Sequence, residues 1–235
     1  RSPVTINRYI NVMKKLQKAI PDFYGKEDIT FHELNSDFIA TFDLFLKTEA
    51  GLCRNTIVRY MKCFKRITNM ALAKEWMRKD PFYGYKMAQD ETDPVFLTYP
   101  ELKSIMEKEF TIPRLALVRD IFVFAAFTGL AFANVSTLTK DNLVQDNNGD
   151  WWIRKGRVKL ERRHRASSVC NIPLLPVPLA ILKKYEEHPI CQKKSLCLPV
   201  ICNQRMNSYL KEIADLCNIR KNLTTHTAKH SKIYI

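Results

Sequence analysis

Several signatures that announce a reaction class are missing from these 235 residues. There is no GxxxxGK(S/T) loop to cradle nucleotide phosphates, no HExxH pair for zinc, and no carboxylate cluster spaced for two magnesium ions. The common nucleotide hydrolases and metal-dependent nucleases are thereby excluded. No apolar stretch approaches the roughly 20 residues that span a bilayer, and no secretory signal opens the chain. A cytoplasmic protein without a membrane partner is expected. The seven cysteines include no CxxC pair, and a chain this long needs no disulfide staples. Reduced thiols follow, and the apolar neighbours Leu198, Val200 and Ile201 predict that Cys191, Cys197 and Cys202 pack rather than bind zinc. No internal repeat or low-complexity tract occurs. The chain opens on Arg1 instead of methionine, which reads as a segment of a longer polypeptide.

Acidic residues are also scarce. Lys and Arg number 38 against 24 Asp and Glu, a net charge of +14, and the excess is +5 over residues 1–92 (16 basic, 11 acidic) and +9 over 93–235 (22 and 13). Such a balance fits a polyanion as partner, nucleic acid first. A hydrophobic content of 46% is that of an ordinary buried core.

The first half reads as helices. From Thr5 to Ile20 the spacing of Ile6, Tyr9, Ile10, Met13, Leu16 and Ile20 predicts an amphipathic helix. Asn35 or Ser36 caps a second, with Phe38, Phe42, Phe45 and Leu46 as its buried stripe and Gly51 as its stop. A third begins near Asn55-Thr56, with Ile57, Tyr60, Met61, Phe64, Ile67 and Ala71 on one face and Arg59, Lys62 and Arg66 on another. That basic stripe, with Arg54 beside it, is a candidate for phosphate contact. Pro81, Gly84 and Pro94 then interrupt a stretch without apolar period, which reads as an interdomain connection from about residue 81, with a boundary near 92.

Beyond it, Thr98 and Glu101 form a helix-starting box, and Leu115–Leu130 predicts a core helix ending near Gly129. Within that apolar run sit Arg119 and Asp120; a buried arginine is either paired or functional. Leu143-Val144, a turn at Asn147-Asn148-Gly149, Trp151-Trp152-Ile153 and a strand at 169–174 predict a three-stranded antiparallel sheet. Helices follow at 177–186, 203–216 and from about 225. The expected fold is mainly α: an N-terminal helical domain and an α+β C-terminal domain with one small sheet. Adjacent Trp151 and Trp152 point to opposite faces, so they make no stacking platform for RNA.

Seven of the twelve residues at 154–165 are basic (Arg154, Lys155, Arg157, Lys159, Arg162, Arg163, Arg165), against one acid, Glu161. A solvated hairpin repels itself at that density unless phosphates compensate. A phosphodiester is opened without metal when a side-chain oxygen attacks and preorganised cations hold the developing charge. His226 and Lys229, three apart, lie on one helical turn and can reach the same phosphate.

Thr128-Gly129-Leu130, Arg157-Val158-Lys159, Ile172-Pro173-Leu174-Leu175 and His226-Thr227-Ala228-Lys229-His230 stand in the order seen in tyrosine recombinases. Ile29-Thr30-Phe31, Asn55-Thr56-Ile57, Arg119-Asp120 and Phe127-Thr128-Gly129-Leu130-Ala131-Phe132 extend the resemblance toward integrases of bacterial conjugative transposons. It implies a core-binding domain (1–92) and a catalytic domain (93–235) that clamp double-stranded DNA. It implies strand exchange through a 3′-phosphotyrosyl link without metal or ATP. A homo-oligomer, a tetramer on paired sites, and accessory DNA-bending proteins in a bacterial nucleoid are implied too. By position Lys159 is the hairpin lysine that protonates the leaving oxygen, and His226 the first histidine.

Three departures stand against the family pattern. Arginine is expected after Thr-Gly-Leu, but the residue is Ala131; Arg119, on the preceding helix, is the candidate to replace it. The second arginine is Lys229, which keeps charge but not a planar fork. Tyr234 follows His226 by only eight residues, too few for the helices that normally intervene. Either Tyr234 is the nucleophile, with residues missing before it, or the chain is truncated short of the nucleophile. His230 is correspondingly either the residue after the motif or part of a later one.

Overall fold

The computed structural model describes residues 3–156 and 169–231, divided into two compact units, Arg1–Thr92 and Asp93–Ile235. Arg157, Lys159, Arg162, Arg163, Arg165 and Tyr234 lie outside the described residues.

The first unit holds α1 (Pro3–Tyr24), α2 (Ser36–Lys47) and α3 (Arg54–Ala73). The Asn35 carboxamide oxygen accepts from the Phe38 amide at 2.9 Å and starts α2. Asp37 in its first turn and Lys47 in its last complement the helix dipole. The core is aromatic. Phe38, Phe42 and Phe45 of α2 stack on one another in series, Phe38 and Phe42 meet Phe64 of α3 edge-on, and Phe64 in turn meets Phe82 edge-on at 5.6 Å. Gly51 takes φ +58° in the turn between α2 and α3, after the helix has already ended at Lys47.

Two expectations are corrected here. On α1 the buried residues are Val12, Ala19 and Ile20, with Tyr9 and Leu16 packed partly against them. Ile6, Ile10 and Met13 are 49%, 37% and 50% exposed. The apolar residues of α1 cover more than one face, and the face carrying the small Val12 and Ala19 is the one that packs, about a quarter turn from the other. The segment after residue 80 is not a free connection. Phe82 is buried, Tyr85 and Met87 pack on the same core, and Arg54 and Asn55 bond the backbone at Lys86, Ala88 and Asp90. Pro81 and Gly84 break the apolar period without undocking the chain.

The second unit is built around α5 (Pro113–Thr128), which is buried on nearly every side and ends where Gly129 adopts φ +65°. Before it, α4 (Tyr99–Glu107) starts with the Glu101 carboxylate accepting from the Thr98 amide at 2.7 Å. After it come α6 (Phe132–Val135), a 3₁₀ turn at Lys140–Asn142, and strands β1 (Leu143–Gln145), β2 (Trp151–Gly156) and β3 (Val169–Pro173). The strands pair antiparallel in the order β1-β2-β3, with fully buried Ile153 opposite both Leu143 and Ile172. Asp146 fixes the β1–β2 turn by accepting from the Asn148 and Asp150 amides and the Trp152 indole. Helices α7 (Pro176–Lys184), α8 (Pro189–Lys194), α9 (Asn203–Leu216) and α10 (Thr225–His230) follow among the described residues. Cys191 and Cys197 are buried among aliphatic residues, whereas Cys202 is exposed.

Candidate functional site

Helix α10 presents three of the expected residues on one surface. Thr224 caps it: its hydroxyl accepts from the Thr227 amide, and the Thr227 hydroxyl accepts from the Thr224 amide at 3.1 Å. Asn207 of α9 accepts from the Thr225 amide at 2.9 Å, so the first turn is held from two sides. Thr227, Ala228 and Ser231 face inward and are buried. The helical period then leaves His226, Lys229 and His230 outward and exposed. The two imidazoles touch: His226 Nε2 and His230 Nε2 are 3.0 Å apart, with ring planes at 85°.

Arg119 is placed elsewhere. Its Nε donates to Asp120 at 2.7 Å, and its Nη1 to the carbonyls of Met106 and Lys108, at the end of α4. Asp120 also accepts from Lys184 Nζ at 2.7 Å and from the Tyr185 hydroxyl at 2.8 Å. Residues 119 and 120 thus join α5 to α4 and to the end of α7. Thr225 and Ala228 of α10 share a small space with Ile121, Phe122 and Ala125, another face of α5. The ion pair with Asp120 supplies a non-catalytic role for this half-buried arginine. Burial, reinforced by the hydrogen bond to Asp120, pushes the Tyr185 hydroxyl far above the usual tyrosine range. That hydroxyl is buried and engaged by Asp120.

Ala131 is exposed at the start of α6, and the next residue, Phe132, lines the same space as Thr225 and Ala228. An arginine at 131 would therefore stand beside α10, where the resemblance expects one. Lys155, counted in the basic segment, is anchored at the sheet, donating to the Thr137 carbonyl at 2.6 Å and to Asn142 Oδ1 at 2.9 Å. Arg154, on the same strand, is exposed.

In the first unit Arg59, Lys62 and Arg66 are exposed along α3, as their spacing predicts, and Lys62 donates to Gln89. Arg54 differs from the expectation of an outward phosphate contact. Its guanidinium grips Asp43 at 3.0 and 3.2 Å and donates to the carbonyls of Lys86 and Ala88. The signal that separates it from its neighbours is Asp43 on the facing helix, which no local spacing reveals.

Residues 1–87 match the family model for the phage integrase SAM-like domain. No curated protein matches the chain in sequence. Among solved structures, a lambda integrase dimer bound to a COC′ core site is 13% identical, with TM-score 0.72 over 97% of this chain and 78% of that one. XerH site-specific recombinase bound to palindromic difH substrate is 16% identical, with TM-score 0.70 over 97% and 67%. The Tn1549 transposon integrase in complex with transposon right end DNA is 16% identical, with TM-score 0.67 over 98% and 80%. The chain has the tyrosine-recombinase fold. In that fold the expected architecture is met: mostly helix, with one three-stranded antiparallel sheet.

Proposed function

We propose that this protein is a site-specific DNA recombinase of the integrase type, with residues 1–92 as the core DNA-binding domain and 93–235 as the catalytic domain. The observation that carries the reading is α10. Its buried residues fix the turn, and its outward His226 and Lys229 are cations or proton carriers suited to one phosphate. The fold match along 97% of the chain and the seven basic residues at 154–165 support it.

In this mechanism a tyrosine oxygen attacks the scissile phosphorus as the bond to the 5′-oxygen breaks. The phenolic proton passes to His226, and the leaving 5′-oxygen takes a proton from Lys159. The 3′-phosphotyrosyl link conserves the phosphodiester energy. The 5′-hydroxyl of a partner strand then attacks it, releases the tyrosine and reseals the backbone without metal or ATP. Tyr234 is the nucleophile in this proposal. Arg59, Lys62, Arg66 and Arg154, with Arg157, Arg162, Arg163 and Arg165, hold the duplex backbone. Two copies on each of two paired sites make a tetramer, with DNA-bending proteins as accessory partners in a bacterial nucleoid. Among the described residues no helix is long and apolar enough to cross a membrane.

A second reading, a DNA-binding relative with impaired chemistry, draws on Ala131, on Lys229, and on the engagement of Arg119 by Asp120. One experiment separates them. The whole protein is incubated with a nicked half-site built from the DNA flanking its own gene, and a denaturant-resistant adduct is sought. The recombinase reading expects an adduct that Tyr234→Phe abolishes. Absence of adduct, with DNA still bound, establishes the impaired relative. Lys229→Arg should speed adduct formation by restoring a bidentate grip, and Ala131→Arg added to it should speed it further.

A further inference from the structure

His226 and His230 stand one turn apart on α10 with their Nε2 atoms 3.0 Å from one another. One ring donates Nε2–H and the other accepts. The same separation suits a different bridge. Two imidazole nitrogens bound to one ion at about 2.0–2.1 Å stand about 2.9 Å apart when they meet at a right angle, and about 3.4 Å apart at the tetrahedral angle. The observed spacing is that of the right angle, the angle of square-planar and octahedral ions.

We propose that His226 and His230 form a bidentate site for a divalent transition-metal ion, Cu(II) foremost and Ni(II) next. Imidazole suits both ions, and the general affinity order places Cu(II) above Ni(II) and Zn(II). Tetrahedral Zn(II) must also spread the pair by about 0.4 Å. To hold an ion the donor ring must move its proton from Nε2 to Nδ1, and both rings must turn so that their Nε2 lone pairs point at one shared position instead of at each other. Both side chains are exposed, so water fills the remaining coordination positions. Buried Thr227, Ala228 and Ser231 hold the intervening turn, which presets the two ligands and limits the ordering cost of binding. The exposed ammonium of Lys229 lies between them in sequence and weakens the site without blocking it. The metal site does not rest on the strand-exchange reading.

The test is calorimetric titration of the whole chain, stripped of metal by a chelator, with Cu(II), Ni(II) and Zn(II) in a non-coordinating buffer, beside His226→Ala and His230→Ala. Cu(II) should bind more tightly than Ni(II), and Ni(II) more tightly than Zn(II). Each variant should lose about tenfold or more in Cu(II) affinity, because the second imidazole acts as an intramolecular ligand. The electron paramagnetic resonance spectrum of the Cu(II) form should report two nitrogen ligands in the parent and fewer in each variant. Both residues are exposed, so thermal melts of the variants should match the parent. The proposal is overturned if the parent binds no Cu(II), if either variant binds it as tightly as the parent, or if Zn(II) binds more tightly than Ni(II). The readout is metal binding, so its failure is distinct from failure to form a DNA adduct.

Discussion

In the N-terminal unit Asp43 accepts from Arg54 and from the Tyr85 hydroxyl. In the C-terminal unit Asp120 accepts from Arg119, Lys184 and the Tyr185 hydroxyl. The chemistry is the same and the depth is not: the side chain of Asp43 is 24% exposed and that of Asp120 only 8%. The deeper carboxylate has lost more water and has gathered one more donor. In both units the arginine nearest the carboxylate is held within the fold, while cations on faces without one, Arg59 and Arg66 on α3 and Lys229 on α10, remain outward. An aspartate on a facing or adjacent position is what separates, in both units, the arginine held within the fold from those left exposed.

Removing each carboxylate is the most severe way to break the comparison. Asp120→Ala leaves a guanidinium and a hydroxyl without their acceptor at a buried site, so denaturant unfolding should show a loss of about 3–5 kcal/mol. Asp43→Ala should lose about 1–2 kcal/mol, since water reaches that pair. Equal losses would show that depth is not what separates them.

Alkaline titration sharpens the same contrast. Burial, and then the hydrogen bond to Asp43, raises the Tyr85 hydroxyl to about 12. Folding therefore favours its protonated form. The stabilisation is complete below the unfolded value of about 10 and disappears as pH rises through about 12. Tyr185, more deeply buried, should ionise after Tyr85 when tyrosinate absorbance is followed with the Tyr85→Phe and Tyr185→Phe variants. Reversal of that order would contradict the assignment of depth.

The smallest effects concern the proposed DNA binding. On that proposal Arg59→Ala and Arg66→Ala should each reduce the slope of log affinity against log salt by about 1, one phosphate contact apiece. Arg54→Ala should leave the slope unchanged and lower the melting temperature. A salt slope that responds to Arg54 instead would place that arginine on the nucleic acid.

Much of the architecture was legible because its signals are local. The caps at Asn35 and Thr98, the long apolar run at α5 and the turn at Asn147-Asn148-Gly149 all lie within a few residues of what they specify. Helices α6 and α8 span four and six residues, too short to display a period, and were missed. The packed face of α1 was misread because Ile6, Ile10 and Met13 are as apolar as the residues that pack. The docking of Phe82 depends on Phe64, far away in sequence. The shared outward face of His226 and Lys229 on α10 was legible from their spacing of three, and burial at 227 and 228 on the opposite side agrees with it. The role of Arg54 was not legible, because it depends on Asp43 and the 86–88 carbonyls brought by the fold; for Arg119 the pairing with adjacent Asp120 was legible as the alternative to catalysis, whereas the carbonyls at the end of α4 were not.

The Ser231 hydroxyl accepts from the Leu97 amide at 2.7 Å and donates to the Thr227 carbonyl at 2.8 Å. Leu97 lies where the polypeptide enters the second unit, and Ser231 closes the turn that carries both imidazoles. The entry of the polypeptide into the unit and the turn that bears both imidazoles are thus tied together through a single serine oxygen.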